Sequence, residues 1–260
     1  DGGLNSFSIE NNQLRYDPTT GGAFGNGMGF LAAGETGIAT VVYTMADDSG
    51  ATSQSFVQIS VGGLNDPVSI IQGSGTVLTG TVNELPEDGN TAGYINSGQV
   101  LFSDIDLNDF HLASFTPQGT DYLGAFSFNV FAQTTIEGLG TAGWNFFLEE
   151  NEALDALDAG ESITQYYDIT ISDGEGGTAT ETVAITINGE NDSPNPVQDF
   201  VFTDEDTPIL IDVLANDTDP NPGDNPSNFT LVSVQDGGLN SFSIENNQLR
   251  YDPTTGGAFG

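Results

Sequence analysis

The chain has 260 residues, of which 38 are Asp or Glu against two Arg, one His and no Lys, for a formal net charge of −36. A balance this one-sided repels nucleic acid and anionic membranes, and clustered carboxylates must draw their counter-ions from solution. The absence of Cys and Lys excludes disulfides, thiol catalysis, zinc–thiolate sites and Lys–Asn isopeptide cross-links.

Acidity alone is compatible with disorder or with a halophile's solvated surface. Against disorder stand 37% hydrophobic residues, with 17 Phe and 7 Tyr, which suffice for packed cores. The length suits about two domains, and no run of about eighteen apolar residues offers a membrane span.

In chain order, Asp1 to Gly25 come first, and they recur unchanged as Asp236 to Gly260, a period of 235 residues (236 − 1). Arg15 and Arg250 are thus one repeat position, expected to pair with a nearby carboxylate. Such identity points to a tandem array whose copies do the same job. Next, Val41, Tyr43 and Met45 alternate with other residues, an Asp-Asp-Ser-Gly turn reverses the chain, and Val57, Ile59 and Val61 alternate again. Period-two alternation around a turn predicts a half-buried β-hairpin. Short strands are predicted over 76–82, 99–103, 111–116, 125–132 and 144–148, with a helical turn over 149–159. A second hairpin follows, with Tyr167, Ile169 and Ile171 on one arm and Val183, Ile185 and Ile187 on the other. Last come strands over 197–203, 208–213 and 229–234.

Residues 31–67 align without a gap to residues 157–193, at an offset of 126, so each period holds two diverged versions of one domain. Many short strands with Gly-rich turns predict an all-β fold: tandem immunoglobulin- or cadherin-like β-sandwiches in an extended array. The expected division is 1–66 as the later half of a cadherin-like sandwich, 67–193 as a complete sandwich, and 194–260 as the earlier half of the next. Each terminal half alone would expose an apolar sheet face, so a neighbouring copy is expected to complete it.

A family resemblance rests on particular stretches. SGTVLTGTVNE, FSDIDLNDFHLASF, YLGAF and LDALDAGESITQYYDITISDGEGGTATETVAITINGENDSP resemble the VCBS repeat. DFVFTDEDTPILIDVLANDTDPNPGD, LRYDPTTGGAF and GETGIATVVYTMADDSGATSQSFVQISVGGLNDP resemble the bacterial cadherin-like repeat. The resemblance implies calcium-stiffened extender regions of giant secreted bacterial adhesins, often of the RTX type, on the cell surface or in fibres. It implies no particular ligand.

Sandwich topology places the acidic loops. The last hairpin tip of the central domain should lie with the loop of Asp104, Asp106 and Asp109, so these and Asp173 face the incoming linker Asn65-Asp66-Pro67. The loop of Asp217, Asp219 and Asp224 should face the linker Asn191-Asp192, with Glu84 joining it. Asp204 and Asp206 of one copy are expected beside Asn65-Asp66 of the next. Calcium, taking six to eight oxygens in flexible geometry, suits these sets better than magnesium, which holds its water shell. Asp and Asn serve equally well as turn formers, and that reading stays open for each of them.

Other chemistry is weakly signalled. His111 lies in a strand-like segment without a nucleophile-elbow pattern, which favours packing over a catalytic triad. Glu149 and Glu150 read as a charged loop rather than an acid/base pair. Trp144 with Phe126, Phe128, Phe146 and Phe147 reads as core, or as a sugar-stacking platform. Asn216 and Asn228 match a glycosylation pattern. The leading expectation is therefore a non-enzymatic structural spacer whose partners are neighbouring copies of itself. The alternative is a glycan- or partner-binding module acting by multivalency, which an exposed Trp144 would favour.

Overall fold

Alternating apolar and polar residues form strands through most of the chain, because one face of each can be buried while the other meets water. A computed structural model describes residues 7–18, 27–84, 94–135, 137–148, 157–235 and 241–255. Among them are fifteen strands and no α-helix: β1 (Phe7–Glu10), β2 (Gln13–Tyr16), β3 (Thr36–Ala46), β4 (Thr52–Gly62), β5 (Ser69–Ile70), β6 (Thr79–Asn83), β7 (Tyr94–Ser103), β8 (Leu112–Pro117), β9 (Ala125–Ala132), β10 (Leu139–Leu148), β11 (Ser162–Ser172), β12 (Thr178–Asn188), β13 (Ile209–Ile211), β14 (Phe242–Glu245) and β15 (Gln248–Tyr251). No helix is long and apolar enough to cross a membrane.

Two four-stranded sheets, β5-β7-β10-β9 and β6-β12-β11-β8, make the sandwich. The remaining sheets are the hairpins β1-β2 and β3-β4 and the three-stranded β13-β15-β14. By internal contacts the chain divides into two compact units. One comprises Asp1–Thr81, Ile95–Phe147 and Thr164–Thr186, and the other Val82–Tyr94, Leu148–Ile163 and Ile187–Gly260.

The first unit holds most of the core. Inward residues of β10, β11 and β12, among them Trp144, Phe146, Ile169, Ile171 and Ile185, are fully buried. Phe126 of β9 stacks on Tyr167 of β11 with ring centroids 4.1 Å apart, joining the two sheets. The Trp144 indole donates to Val77 O at 2.7 Å, which satisfies its one polar atom inside the core. Gly80 and Gly98 make room for that ring, since a Cβ would fall 2.7 Å and 2.5 Å from its atoms.

The hairpin β3-β4 has the expected parity. Val41 faces Val57, Ala39 faces Ile59 and Gly37 faces Val61. Its turn is bracketed by Asp47, whose Oδ1 accepts from Ser49 N and Ala51 N at 2.9 and 2.8 Å. In the other unit, β15 pairs with both β14 and β13.

Residues 197–203 and 229–234, expected as strands, run without ladder pairing. Phe200, Phe202 and Val232 there are exposed, so neither segment has a sheet to bury its apolar side against. Residues 149–156, most of the expected helical turn, lie outside the described residues.

Candidate metal centre

The centre grows from the loop that follows β7. Asp104 N donates to Gly138 O at 2.9 Å, which holds the loop against the chain entering β10. Asp104 Oδ1 accepts from Asp106 N at 3.0 Å, and Asp109 N donates to Asp106 O at 3.3 Å. These bonds turn the loop so that Asp104, Asp106 and Asp109 each offer a carboxylate oxygen within 4.8 Å of one another. All three are buried.

The Asn65-Asp66 linker meets this loop. Asp66 N donates to Asp106 Oδ2 at 2.7 Å, and Asn65 Nδ2 donates to Asp173 Oδ2 at 3.3 Å. Asp173 sits at the β11–β12 turn, where its Oδ1 accepts from Glu175 N and Gly177 N, each at 2.9 Å. Nearby, Asn108 Nδ2 donates to Glu35 Oε1 at 2.6 Å. The structure thus brings Asn65, Asp66 and Asp173 to the loop of Asp104, Asp106 and Asp109.

His111 lies behind Asp104. Gln133 Oε1 accepts from His111 N at 2.7 Å and Gln133 Nε2 donates to His111 O at 3.1 Å, which fixes the amide. The ring then spans Gln133 Oε1, 3.1 Å from Nδ1, and Asp104 Oδ2, 3.0 Å from Nε2. It is fully buried and tilted against Phe102, with ring centroids 4.8 Å apart. Both ring nitrogens are engaged, so His111 orients a carboxylate rather than a nucleophile.

Three buried oxygens of the centre have no hydrogen-bond partner: Asn65 Oδ1, Asp106 Oδ1 and Asp109 Oδ2. Orphaned acceptors of this kind are costly unless something satisfies them. Burial, reinforced by the charges of Asp106, Asp104 and Asp173, pushes the Asp109 carboxyl up to about 6. Burial likewise raises Asp106, with the charges of Asp66, Asp104 and Asp173 adding to it against the Asp66 N–H. Burial would raise Asp173 too, but hydrogen bonds from Glu175, Asn65, Gly177 and Val68 outweigh it and hold the carboxyl low. No Lys exists in the chain, and its two Arg are Arg15 and Arg250. Arg15 reaches Glu10 and Asp17, and Arg250 reaches Glu245 and Asp252. Closely spaced anionic oxygens with an amide oxygen beside them are the donor set of a hard cation.

The second unit repeats the pattern at the Asn191-Asp192 linker. Asp192 N donates to Asn221 Oδ1 at 2.7 Å, Asn221 N donates to Asp219 Oδ1 at 2.9 Å, and Asp224 N donates to Asn221 O at 3.1 Å. By this bonding Asp219, Asn221 and Asp224 stand where Asp104, Asp106 and Asp109 stand in the first centre. Glu84, buried, accepts from Glu190 N at 3.1 Å. Asn191 Nδ2 turns to Asp192 O. Asp217 ties its loop to the segment after the linker, accepting from Val197 N at 2.7 Å beside the Asn195–Thr218 bridge. Asp204 accepts from Asp206 N at 3.0 Å on an exposed turn, and the Thr207 hydroxyl and Asp206 N–H hold its carboxyl below the usual range.

Sequence reasoning did not find Gln133 as the clamp on His111, nor Asn221. The Asp-x-Asp-x-Asn spacing shared by residues 104–108 and 217–221 sets Asn221 against Asn108, two residues out of the register that the hydrogen bonds show, so it carried no signal for the second. The first had none, because Gln133 and His111 meet only across the fold.

Residues 191–259 match the family described as Bacterial Ig domain. The fold of the chain is immunoglobulin-like and all-β. Human CDH23 EC21-23 is similar at a TM-score of 0.48 and 16% identity, covering 95% of this chain and 71% of that one. Mouse Protocadherin-24 EC1-3 gives 0.43 and 14%, covering 98% and 76%, and mouse clustered PcdhgC3 EC1-3 gives 0.42 and 16%, covering 95% and 74%. No curated protein matches the chain.

Proposed function

We propose that this chain is a structural extender repeat of a secreted bacterial adhesin or surface fibre, stiffened by calcium at its two Asn-Asp linkers. The observation that carries the reading is the first centre, where Asp104, Asp106 and Asp109 crowd together and three buried oxygens lack partners. Calcium would satisfy those oxygens and neutralise the carboxylates, with Asn65, Asp66 and Asp173 at hand to complete its shell. Glu84, Asn191, Asp192 and Asp219 would serve a second ion. That set is less anionic at its middle position, where Asn221 replaces a carboxylate. Asp217 spends one oxygen on Val197 N, as Asp219 does on Asn221 N, and its other oxygen would be available to the same ion. The Bacterial Ig match, the identical 25-residue ends and the resemblance to VCBS and cadherin-like repeats of RTX-type adhesins support the array and its extracellular setting.

Extracellular calcium modules bind at about 10⁻⁴ to 10⁻³ M, so such sites fill outside the cell and empty within it. An ion at ten times its dissociation constant adds about 1.4 kcal/mol to stability. Trp144, the centre of the alternative glycan platform, is 1% exposed, which favours the spacer.

Thermal unfolding in calcium and in chelator tests the proposal. Calcium should raise Tm by several degrees in the native chain and clearly less in Asp106→Asn. A Tm indifferent to calcium would exclude the stiffening role.

A further inference from the structure

Identical segments, residues 7–16 and 242–251, stand in two environments within one chain, and the difference shows what covers them. Hairpins β1-β2 and β14-β15 have identical register: Phe7↔Tyr16 to Glu10↔Gln13, and Phe242↔Tyr251 to Glu245↔Gln248. In the second copy the outer edge of β15 carries β13, with Ile209↔Tyr251, Leu210↔Arg250 and Ile211↔Leu249. Asn247 at the turn also accepts from Leu231 N and donates to Phe229 O, each at 2.8 Å. In the first copy the sheet ends at β2. Ile9 is 77% exposed where Ile244 is 38%, and the Arg15 side chain is 60% exposed where that of Arg250 is 34%.

A second internal comparison concerns β3-β4. At the offset of 126, Val41, Tyr43, Met45, Val57, Ile59 and Val61 correspond to Tyr167, Ile169, Ile171, Val183, Ile185 and Ile187. The latter six are fully buried inside the sandwich, whereas Tyr43 and Met45 are 37% and 55% exposed. One face of β3-β4 is therefore a core face without its opposite sheet. Residues 194–235 have the complementary character, with Phe200, Val201, Phe202 and Val232 exposed on chain that forms no ladder.

We infer that residues 7–18 and 27–62 of one copy and 194–235 of a second copy are the two halves of one sandwich. The occupant of the open β2 edge is β13 of that second copy, with Ile209 opposite Tyr16, Leu210 opposite Arg15 and Ile211 opposite Leu14. Hairpin β1-β2 then takes the place of the identical β14-β15, and every strand pair lost is regained. What decides the exchange is β3-β4, which arrives with β1-β2 and buries its apolar face on Phe200, Phe202 and Val232. Asn12, with the same left-handed turn as Asn247, then accepts from Leu231 N and donates to Phe229 O. The inference rests on the reading of the chain as an array repeat and is independent of calcium.

The chain has no cysteine, so a disulfide can report the register. Opposed residues in antiparallel strands lie about 4.5–5.5 Å apart at Cα, within disulfide reach. The full chain carrying Arg15→Cys and Leu210→Cys, mildly oxidised, should give a non-reducing ladder in steps of 27.2 kDa. Either substitution alone should stop at the dimer, and Glu10→Cys with Leu210→Cys should give no ladder. A band of single-chain mass only, whether from no disulfide or from one closed within the chain, would overturn the inference. The native chain should sediment as oligomers whose size rises with concentration; a strict monomer would also overturn it. Ladders without calcium-dependent melting would refute the calcium reading alone, and calcium-dependent melting without ladders would refute this one alone.

Discussion

Asp109 concentrates the electrostatics of the first centre in one group. Burial and three neighbouring carboxylates oppose its charge and push its carboxyl up to about 6, from the ordinary 3.8. Between those pH values the folded state holds the extra proton, so in chelator stability should fall as pH rises from about 4 through 6. Asp173, whose carboxyl is held low, acts in the opposite sense. Its contribution is present above the ordinary carboxylate range and is lost as pH falls through its depressed value, so the two windows are separate. Melting curves between pH 4.5 and 7.5 should show Tm declining in chelator and flat in calcium. Asp109→Asn should flatten the chelator curve and add about 1–3 kcal/mol at pH 7, and a loss of stability would contradict this account of the cluster. His111→Phe keeps an aromatic ring, though a larger one, but leaves Asp104 Oδ2 without its buried partner, and should cost about 2–3 kcal/mol in urea unfolding. At this scale the sequence shows most of the acidic residues that the first centre gathers, since so many carboxylates stand out in a chain with two Arg. It does not show which oxygen is committed. Asp217 and Asp173 spend an oxygen on backbone N–H groups, and only the folded turns reveal that.

Among the elements, both hairpins were legible because parity depends on neighbouring residues alone: Val41 pairs with Val57 as alternation requires. The sandwich strands were legible for the same reason, β9 over its full length of Ala125–Ala132. Residues 197–203 and 229–234 carry the same local signal yet form no ladder, because a strand also needs an edge to join. The core packing was legible only in outline. Trp144 reads as core with a platform as the alternative, and Gly80 and Gly98 beneath its ring show how the core holds it. Gly98→Ala would place a methyl group against the indole, and should cost about 1–3 kcal/mol by overpacking. Tryptophan fluorescence during denaturation measures this directly, and unchanged stability would mean the ring moves freely.

Over the whole molecule the net charge of −36 sets the response to ions. At physiological ionic strength monovalent salt screens exposed charges beyond about 8 Å, but it screens buried groups far less. Sodium chloride should therefore reproduce only a small part of the calcium effect on Tm. The two linker sites should fill in order, the Asp106 centre first and the Asn221 set at higher calcium, because affinity follows ligand charge. Calorimetric titration should show two phases in the native chain, and Asn221→Asp should move the second toward the first. The identity of residues 1–25 with 236–260 was legible at once, whereas the parallel between the two linker regions emerged only from their shared hydrogen bonds. The central claim is that a cation sits among Asp104, Asp106 and Asp109. It is tested most directly by a crystal structure of the native chain grown in calcium, with anomalous difference density measured. The expected result is a peak enclosed by those three carboxylates and the Asn65 amide oxygen. An ordered site at saturating calcium with no peak there, its carboxylates satisfied by water alone, would contradict it.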